Sequence, residues 1–367
     1  MRPFLLERYF ARHEFTARHL LSPSDCQPLT LRELLAMAGS KRRAMWDALT
    51  LAYTESAGHP ELRDAIAARY DRCAPEEVLV CVPEEGIFLA MQALLEPGEA
   101  MLHLFPAYQS LYEVAAAAGA TALRCDLTPG GGTWRLDLDA LRGAITPDTR
   151  VLTVNFPHNP TGFLPTRAEF ETLLAIARDH DLWIFSDEMY RDLEHDPDDR
   201  LPSVGDVYEK SVTLGGLSKA FALPGLRIGW LRVGDADLRE RILALKDYTT
   251  ICSAAPAEIL ALIALDNADA IIARNRELVA ANLELARAFF SGYPERLEWL
   301  EPRGGSIAFP RLVEGSALAF CDAAVGSHSL MIVPDAVFDM DDGHFRIGLG
   351  RSDFPEALAV FKTVLEG

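Results

Sequence analysis

Lysine is scarce in this chain. Among 367 residues only Lys41, Lys210, Lys219, Lys246 and Lys362 carry it, and arginine stands almost everywhere else. A lysine kept in an apolar, glycine-rich setting points to chemistry that arginine cannot perform. Basic charge is short as a whole, with 35 Lys and Arg against 54 Asp and Glu and a formal net charge of -19. That balance argues against a nucleic-acid partner, which wants a basic face, and favours solubility. No run of eighteen apolar residues occurs, so no membrane span is expected. The apolar run near Met1 to Arg8 is too short for a secretory signal. Six cysteines lie scattered with no C-x-x-C spacing. They predict neither a metal site nor a disulfide framework, and they point to the cytoplasm. No internal repeat or low-complexity segment is present.

What is present is an apolar fraction of 49%, enough for a sizeable core. Short apolar runs alternate with helical patterns in the first half. Strands are expected over 78–82, 101–105, 122–125, 151–156 and 182–186, with helices over 86–95, 108–118 and 167–179. Such alternation implies an α/β fold, a mostly parallel sheet covered by helices on both faces. Ligands in these sheets bind at the carboxyl ends of the strands. Ahead of this region, Leu5 to Phe15 has helical spacing, Thr30 is a helix N-cap, and another helix begins near Pro60. Behind it, the run 256–291 reads as one or two helices, followed by an α+β pattern. The expected division is an N-terminal segment, 1–44, a large domain, 45–255, and a smaller C-terminal domain, 256–367.

The stretch Ser211 to Trp230 organises the rest. Two short apolar runs, Val212 to Leu214 and Leu226 to Trp230, read as buried strands around Lys219. Burial lowers a lysine's pKa and makes it a nucleophile toward carbonyls. Arg227, eight residues on, carries a planar fork suited to phosphate oxygens.

The run S-K-A-F-A-L-P-G-L-R-I-G, from Ser218 to Gly229, resembles the cofactor-lysine motif of class I and II aminotransferases, the fold-type I pyridoxal-phosphate enzymes. The resemblance implies a three-layer α/β fold with a smaller α+β domain. It implies pyridoxal 5'-phosphate as cofactor, Lys219 as its Schiff-base lysine, and Ser218 and Arg227 as phosphate contacts. Gly216 stands where a second phosphate hydroxyl is common in the family, so the cup is a donor short. Asn155 to Gly162 is similar to the family's N-x-P-x-N-P-T-G loop, which sets Asn159 on the cofactor's phenolic oxygen and beside the substrate. Ser186-Asp-Glu-Met-Tyr190 likewise implies Asp187 on the ring nitrogen and Tyr190 on the phenolic oxygen. A buried aspartate needs a cationic partner, and the protonated ring would be one. Tyr108, after Phe105-Pro-Ala, matches the ring-stacking aromatic. Phe345-Arg346-Ile-Gly matches the segment whose arginine holds the substrate α-carboxylate.

Tyr53 matches a tyrosine that reaches the phosphate of the neighbouring subunit, implying a homodimer. Pro83-Glu84-Glu85-Gly86 matches the turn whose backbone N–H groups hold the phosphate. Here it departs from the family's small residues, and both glutamate side chains are expected to turn away from an anion. Asp25 and Glu7 lie in the segment that crosses the substrate site and are candidates to meet a substrate side chain, while His158 reads as a solvated loop residue. The implied activity is amino transfer between an L-amino acid and a keto acid, with Lys219 moving the Cα proton. The alternative is elimination and ring closure, because the pattern also resembles pyridoxal-phosphate cyclases acting on arginine derivatives, capreomycidine synthase among them.

Overall fold

The apolar runs between residues 78 and 233 form one eight-stranded sheet in the computed structural model, which describes residues 1–366. Numbered along the chain, the strands are β1 (Val78–Cys81), β2 (Ala100–Phe105), β3 (Thr121–Gly130), β4 (Thr133–Leu136), β5 (Thr149–Asn155), β6 (Trp183–Asp187), β7 (Ser211–Gly216) and β8 (Gly229–Val233). Across the sheet they lie in the order β1-β8-β7-β6-β5-β2-β3-β4. The central strands β7, β6, β5, β2 and β3 are parallel. Strand β8 is antiparallel to β7 and β1, and β4 to β3.

Helix α1 (Leu5–His13) precedes the sheet. Helices α2 (Pro83–Leu94), α3 (Ser110–Ala117) and α4 (Arg167–Asp179) connect its strands, and α5 (Ala255–Asp266) and α6 (Ala268–Ser291) follow it. Alternate residues of the central strands enter two separate cores. Met101, Val151 and Phe185 belong to one, and Leu102, Leu152 and Ile184 to the other. Burial on both faces is why these strands read as unbroken apolar runs. Helix α4 starts at Thr166, whose side chain caps the Glu169 amide while Glu169 returns the bond.

The sequence predicts a strand from Leu226, but the chain turns first. Pro224–Leu226 form a short 3-10 turn, Arg227 takes a left-handed conformation (φ 53°), and β8 begins at Gly229. In the C-terminal α+β part the strands are short, and Leu330–Met331 and Val333–Pro334 are separate two-residue strands. Among the described residues no helix is long and apolar enough to cross a membrane.

The N-terminal segment is woven into the C-terminal part. His19–Leu20 pairs in parallel with Leu330–Met331. Gly348 N then donates to Leu21 O at 2.7 Å and Gln27 N to Gly350 O at 2.7 Å. A Cβ on Gly348 would lie 1.7 Å from the Pro23 carbonyl oxygen, and one on Gly350 2.5 Å from that of Asp25. Only glycine lets the two backbones approach so closely. The contact sets residues Ser22 to Asp25 above the carboxyl ends of the strands.

Gly348→Ala is therefore expected to push the crossing segment away and destabilise the protein by about 1–3 kcal/mol. Gly143→Ala, at a helix end where an added Cβ meets nothing within 4 Å, should stay within about 0.5 kcal/mol of the parent. Urea midpoints of the two variants decide the matter. Equal midpoints would mean that the crossing does not depend on the missing side chain.

Candidate active site

Strand ends place the first group of side chains. Asp187 closes β6, in register with Asn155 at the end of β5 and with Leu214 on β7. Asn155 Nδ2 donates to Asp187 O at 2.9 Å, and Asn155 Oδ1 accepts from Asn159 N at 2.7 Å. Asn159 Oδ1 in turn accepts from Arg346 at 3.0 Å. Arg346 stands on the C-terminal strand Phe345–Gly348, so this chain of bonds ties the sheet to the C-terminal part of the molecule.

Asp187, Asn159 and Arg346 line a cavity of roughly 620 Å³ together with Lys219, Tyr190 and Tyr108. Lys219 follows β7 and donates to Ser24 Oγ at 2.8 Å. Its ammonium lies 5.7 Å from the centre of the Tyr190 ring. Arg346 is buried between Phe10 and Phe338, 5.9 and 5.5 Å from their ring centres. Ser218, Arg227 and the start of α2 at Pro83 and Glu84 line the same cavity.

Several of these groups are unsatisfied within the protein. Burial pushes the Asp187 carboxyl up to about 7, although the Met189 amide and the Lys219 charge oppose the shift. No cation of the chain pairs with it among the described residues. The Tyr190 hydroxyl and Arg346 Nε are buried without hydrogen-bond partners. Burial pulls the Arg346 guanidinium downward in pKa, as expected for a cation awaiting an anion. A protonated pyridine facing Asp187, a phenolic oxygen facing Tyr190 and a carboxylate facing Arg346 would satisfy all three. The residues present fit pyridoxal phosphate and an amino acid.

Other candidates sit differently from their sequence reading. Glu84 does not turn away: it faces the cavity beside Tyr108, and burial raises its pKa. Its departure from expectation has a simple cause, because Pro83 opens α2 and sets the next side chain over the strand ends. Glu85 does turn away, to Thr249 and to Thr250, whose Oγ1 it accepts at 2.8 Å. Asp25 is not free to meet a substrate directly, since Arg351 holds it at 2.7 Å. His158 is buried, bonded to Thr161 Oγ1 at 2.8 Å, and pushed down to about 3, so it is a neutral structural residue and not a solvated one. Tyr53 lies outside this cavity and is 88% exposed. Glu7 does face the cavity, accepting from the Tyr108 hydroxyl at 3.3 Å.

Three lining residues had no sequence signal of their own. Ser24 lies in a turn-rich stretch where serine is common. Glu14 is two helical turns beyond Glu7, on the same side of α1, a spacing that could have flagged it. Arg351 follows Arg346 by five residues, past the two glycines of the crossing.

Comparison with known proteins agrees with this geometry. The family model described as aminotransferase class I and II matches residues 42–356. Capreomycidine synthase of Streptomyces vinaceus is 32% identical over 98% of this chain and 93% of its own. A probable N-succinyldiaminopimelate aminotransferase of Mycobacterium tuberculosis is 36% identical over 76% of this chain and 77% of its own. A crystal structure of a PLP-dependent aminotransferase from Streptococcus suis superposes with a TM-score of 0.93 at 28% identity, covering 100% of this chain and 98% of that one.

Asp187 yields a test on the cofactor-free protein. Its carboxyl rises from 3.8 to about 7 on folding, so the native state binds the extra proton and loses stability as pH rises through that window. Near pH 8 the cofactor-free Asp187→Asn protein should be more stable than the parent by a few kcal/mol, at ~1.4 kcal/mol for each tenfold change in proton affinity. The gap should close below about pH 4. Denaturant midpoints across pH would read it, and a gap that ignores pH would show that the carboxylate already has a cation in the protein.

Proposed function

The chain belongs to the aminotransferase class I and II family, a pyridoxal-phosphate-dependent aminotransferase, and from that premise we propose that it takes its amino group from an amino acid with a cationic side chain. The observation that carries this reading is the charge of the cavity. Beyond Asp187, four carboxylates line it: Glu7, Glu14, Asp25 and Glu84. Only Asp25 has a salt-bridge partner, Arg351, among the described residues. Glu14 is raised in pKa by burial and then by the nearby charges of Asp25 and Glu7, a crowding of like charges that a cation would relieve. Arg346 takes the substrate α-carboxylate, which leaves Glu7 and Glu14 for the far end of the side chain.

Bound pyridoxal phosphate supplies an aldehyde for the amine and a protonated ring that withdraws electrons. The residues do the rest. Lys219, on the cavity wall beside Ser24, would hold the cofactor and would be the base that moves the Cα proton. Well-placed proton transfer of this kind contributes roughly 10²–10⁴-fold. Asp187 would keep the ring nitrogen protonated, Tyr190 and Asn159 would hold the phenolic oxygen, and Tyr108 would stack on the ring. Ser218, Arg227 and the amides of Glu84 and Glu85 would take the phosphate. Tyr53, exposed on one subunit, completes the site of its partner in a homodimer. The six cysteines, all free, suit the cytoplasm. The working division of the chain is a segment 1–44, a large domain 45–255 and a small domain 256–367.

A second reading is favoured by one finding. The match to capreomycidine synthase runs over 98% of the chain, so it includes the N-terminal segment that brings Glu7 and Glu14. Loss of a side-chain leaving group and ring closure would use the same Lys219 and Arg346.

The test mixes the purified holoenzyme with single amino acids and no keto acid. Arginine or a related basic amino acid should convert all the cofactor to pyridoxamine phosphate and release one keto acid per site. Continued substrate loss without pyridoxamine phosphate would favour the second reading, and conversion by acidic amino acids alone would refute the cationic subsite. Glu7→Gln combined with Glu14→Gln should raise KM for the basic substrate roughly 10–100-fold, the range of one or two charge-assisted bonds. KM for a small neutral amino acid should hardly move.

A further inference from the structure

The mechanism leaves one carboxyl of the cavity without a task. Glu84 stands at the second position of α2, between Pro83 and Glu85, and its side chain faces inward. The same corner holds the groups assigned to the phosphate. Pro83 has no N–H, so the open helix end offers the amides of Glu84 and Glu85, with Ser218 and Arg227 beside them. A carboxylate there would repel a phosphate dianion in a poorly solvated place. A carboxylic acid there would be a donor.

The corner is short of donors for a structural reason. Gly216, at the end of β7, carries no hydroxyl, and an added Cβ would lie 2.9 Å from Met189 Sδ and 3.2 Å from Gly229 Cα. A side chain at that position would have to displace the end of Met189. Three phosphate oxygens are strong acceptors, and they need partners from elsewhere. The groups that face Glu84 are Glu7 on α1, Tyr108 and Ser110 ahead of and on α3, and Arg227 before β8. Asp187 at the end of β6 also feels its charge. Two of these neighbours are acids, one is a cation and two are hydroxyls. Burial is the largest influence and favours the neutral acid.

We propose that Glu84 enters the cofactor complex as a neutral carboxylic acid and donates a hydrogen bond to the phosphate of pyridoxal phosphate. This rests on the placement of that phosphate at the start of α2 beside Arg227. The side chain thereby replaces the hydroxyl that Gly216 lacks, and it links phosphate binding to the uptake of one proton. The enzyme retains its cofactor less tightly as pH rises.

The test measures binding of pyridoxal phosphate and of pyridoxal, which lacks the phosphate, to the cofactor-free protein between about pH 7 and about pH 9, where free phosphate stays a dianion. In the parent, the preference for the phosphorylated form should fall with pH, by up to about tenfold per unit for one linked proton. Glu84→Gln, which donates at every pH, should keep the preference and lose the slope. Glu84→Ala should lower the preference at the acid end and also lose the slope. The ³¹P resonance of the bound cofactor should titrate in the parent and not in either variant. A parent without slope, or a Glu84→Gln protein with the parent's slope, overturns the proposal. Arg227→Ala separates it from its premise: a preference unchanged by that substitution would mean that the phosphate lies elsewhere and that the underlying placement is wrong.

Discussion

A buried carboxylate without a cation is the constraint on which the rest of this molecule depends. Asp187 ends a central strand without a salt-bridge partner among the described residues, and burial pushes its carboxyl pKa up to about 7. A protein keeps such a group only where a ligand completes it. The strands beside it supply the frame: Asn155 lies in register and passes the order on through Asn159 to Arg346. The cation that Asp187 lacks and the anion that Arg346 lacks are thus offered at a distance fixed by hydrogen bonds, which is what a zwitterion on a pyridine cofactor requires.

The second constraint is the crossing of the two ends of the chain. Residues 21–27 lie so close to the strand carrying Arg346 that two of its neighbours must be glycine. That crossing brings Ser24 to the Lys219 ammonium and Asp25 to Arg351. Helix α1 then carries Glu7, Phe10 and Glu14 over the opening. The lysine and the substrate arginine therefore depend on a segment nearly 200 residues earlier than Lys219, with Ser24 and Lys219 separated by 195 positions. The sheet supplies Asp187 and Lys219 to the cavity, and the N-terminal segment supplies Glu7, Phe10 and Glu14.

The sheet and several of the residues that line its cavity are legible in the sequence because each obeys a local rule. Unbroken apolar runs mark strands buried on both faces, and Lys219, Asp187 and Asn159 sit in short motifs with fixed spacing. What cannot be read is set by long-range contact. Asp25 looks like any acidic turn residue until Arg351 lies beside it, and His158 looks exposed until its loop packs beneath the strand ends. Electrostatics alone misplaces Glu84, since a carboxylate should avoid an anion. The backbone geometry at Pro83 decides its direction, and burial then decides its charge. The strand expected at Leu226 fails for a similar reason: Pro224 and the left-handed Arg227 divert an apolar run that composition alone would extend.

Acids in this cavity divide by position. Glu84 lies toward Arg227, Glu14 toward Asp25 and Arg351, and Glu7 is shared, sensed by both and bonded to the Tyr108 hydroxyl. Through the Tyr108 hydroxyl and its own charge, Glu7 lies between the Glu84 corner and the Glu14 corner of the cavity. A cation bound at Glu7 would withdraw negative charge from beside Glu84 and make its ionisation easier. Substrate binding and cofactor retention would then be coupled, with a basic substrate loosening the proton that Glu84 carries. The choice between amino transfer and ring closure cannot lie in Lys219, Asp187 or Arg346, which serve both reactions alike. It must lie where the substrate's side chain is held, and on the proposed reading that place is built by α1 and the crossing segment, not by the sheet.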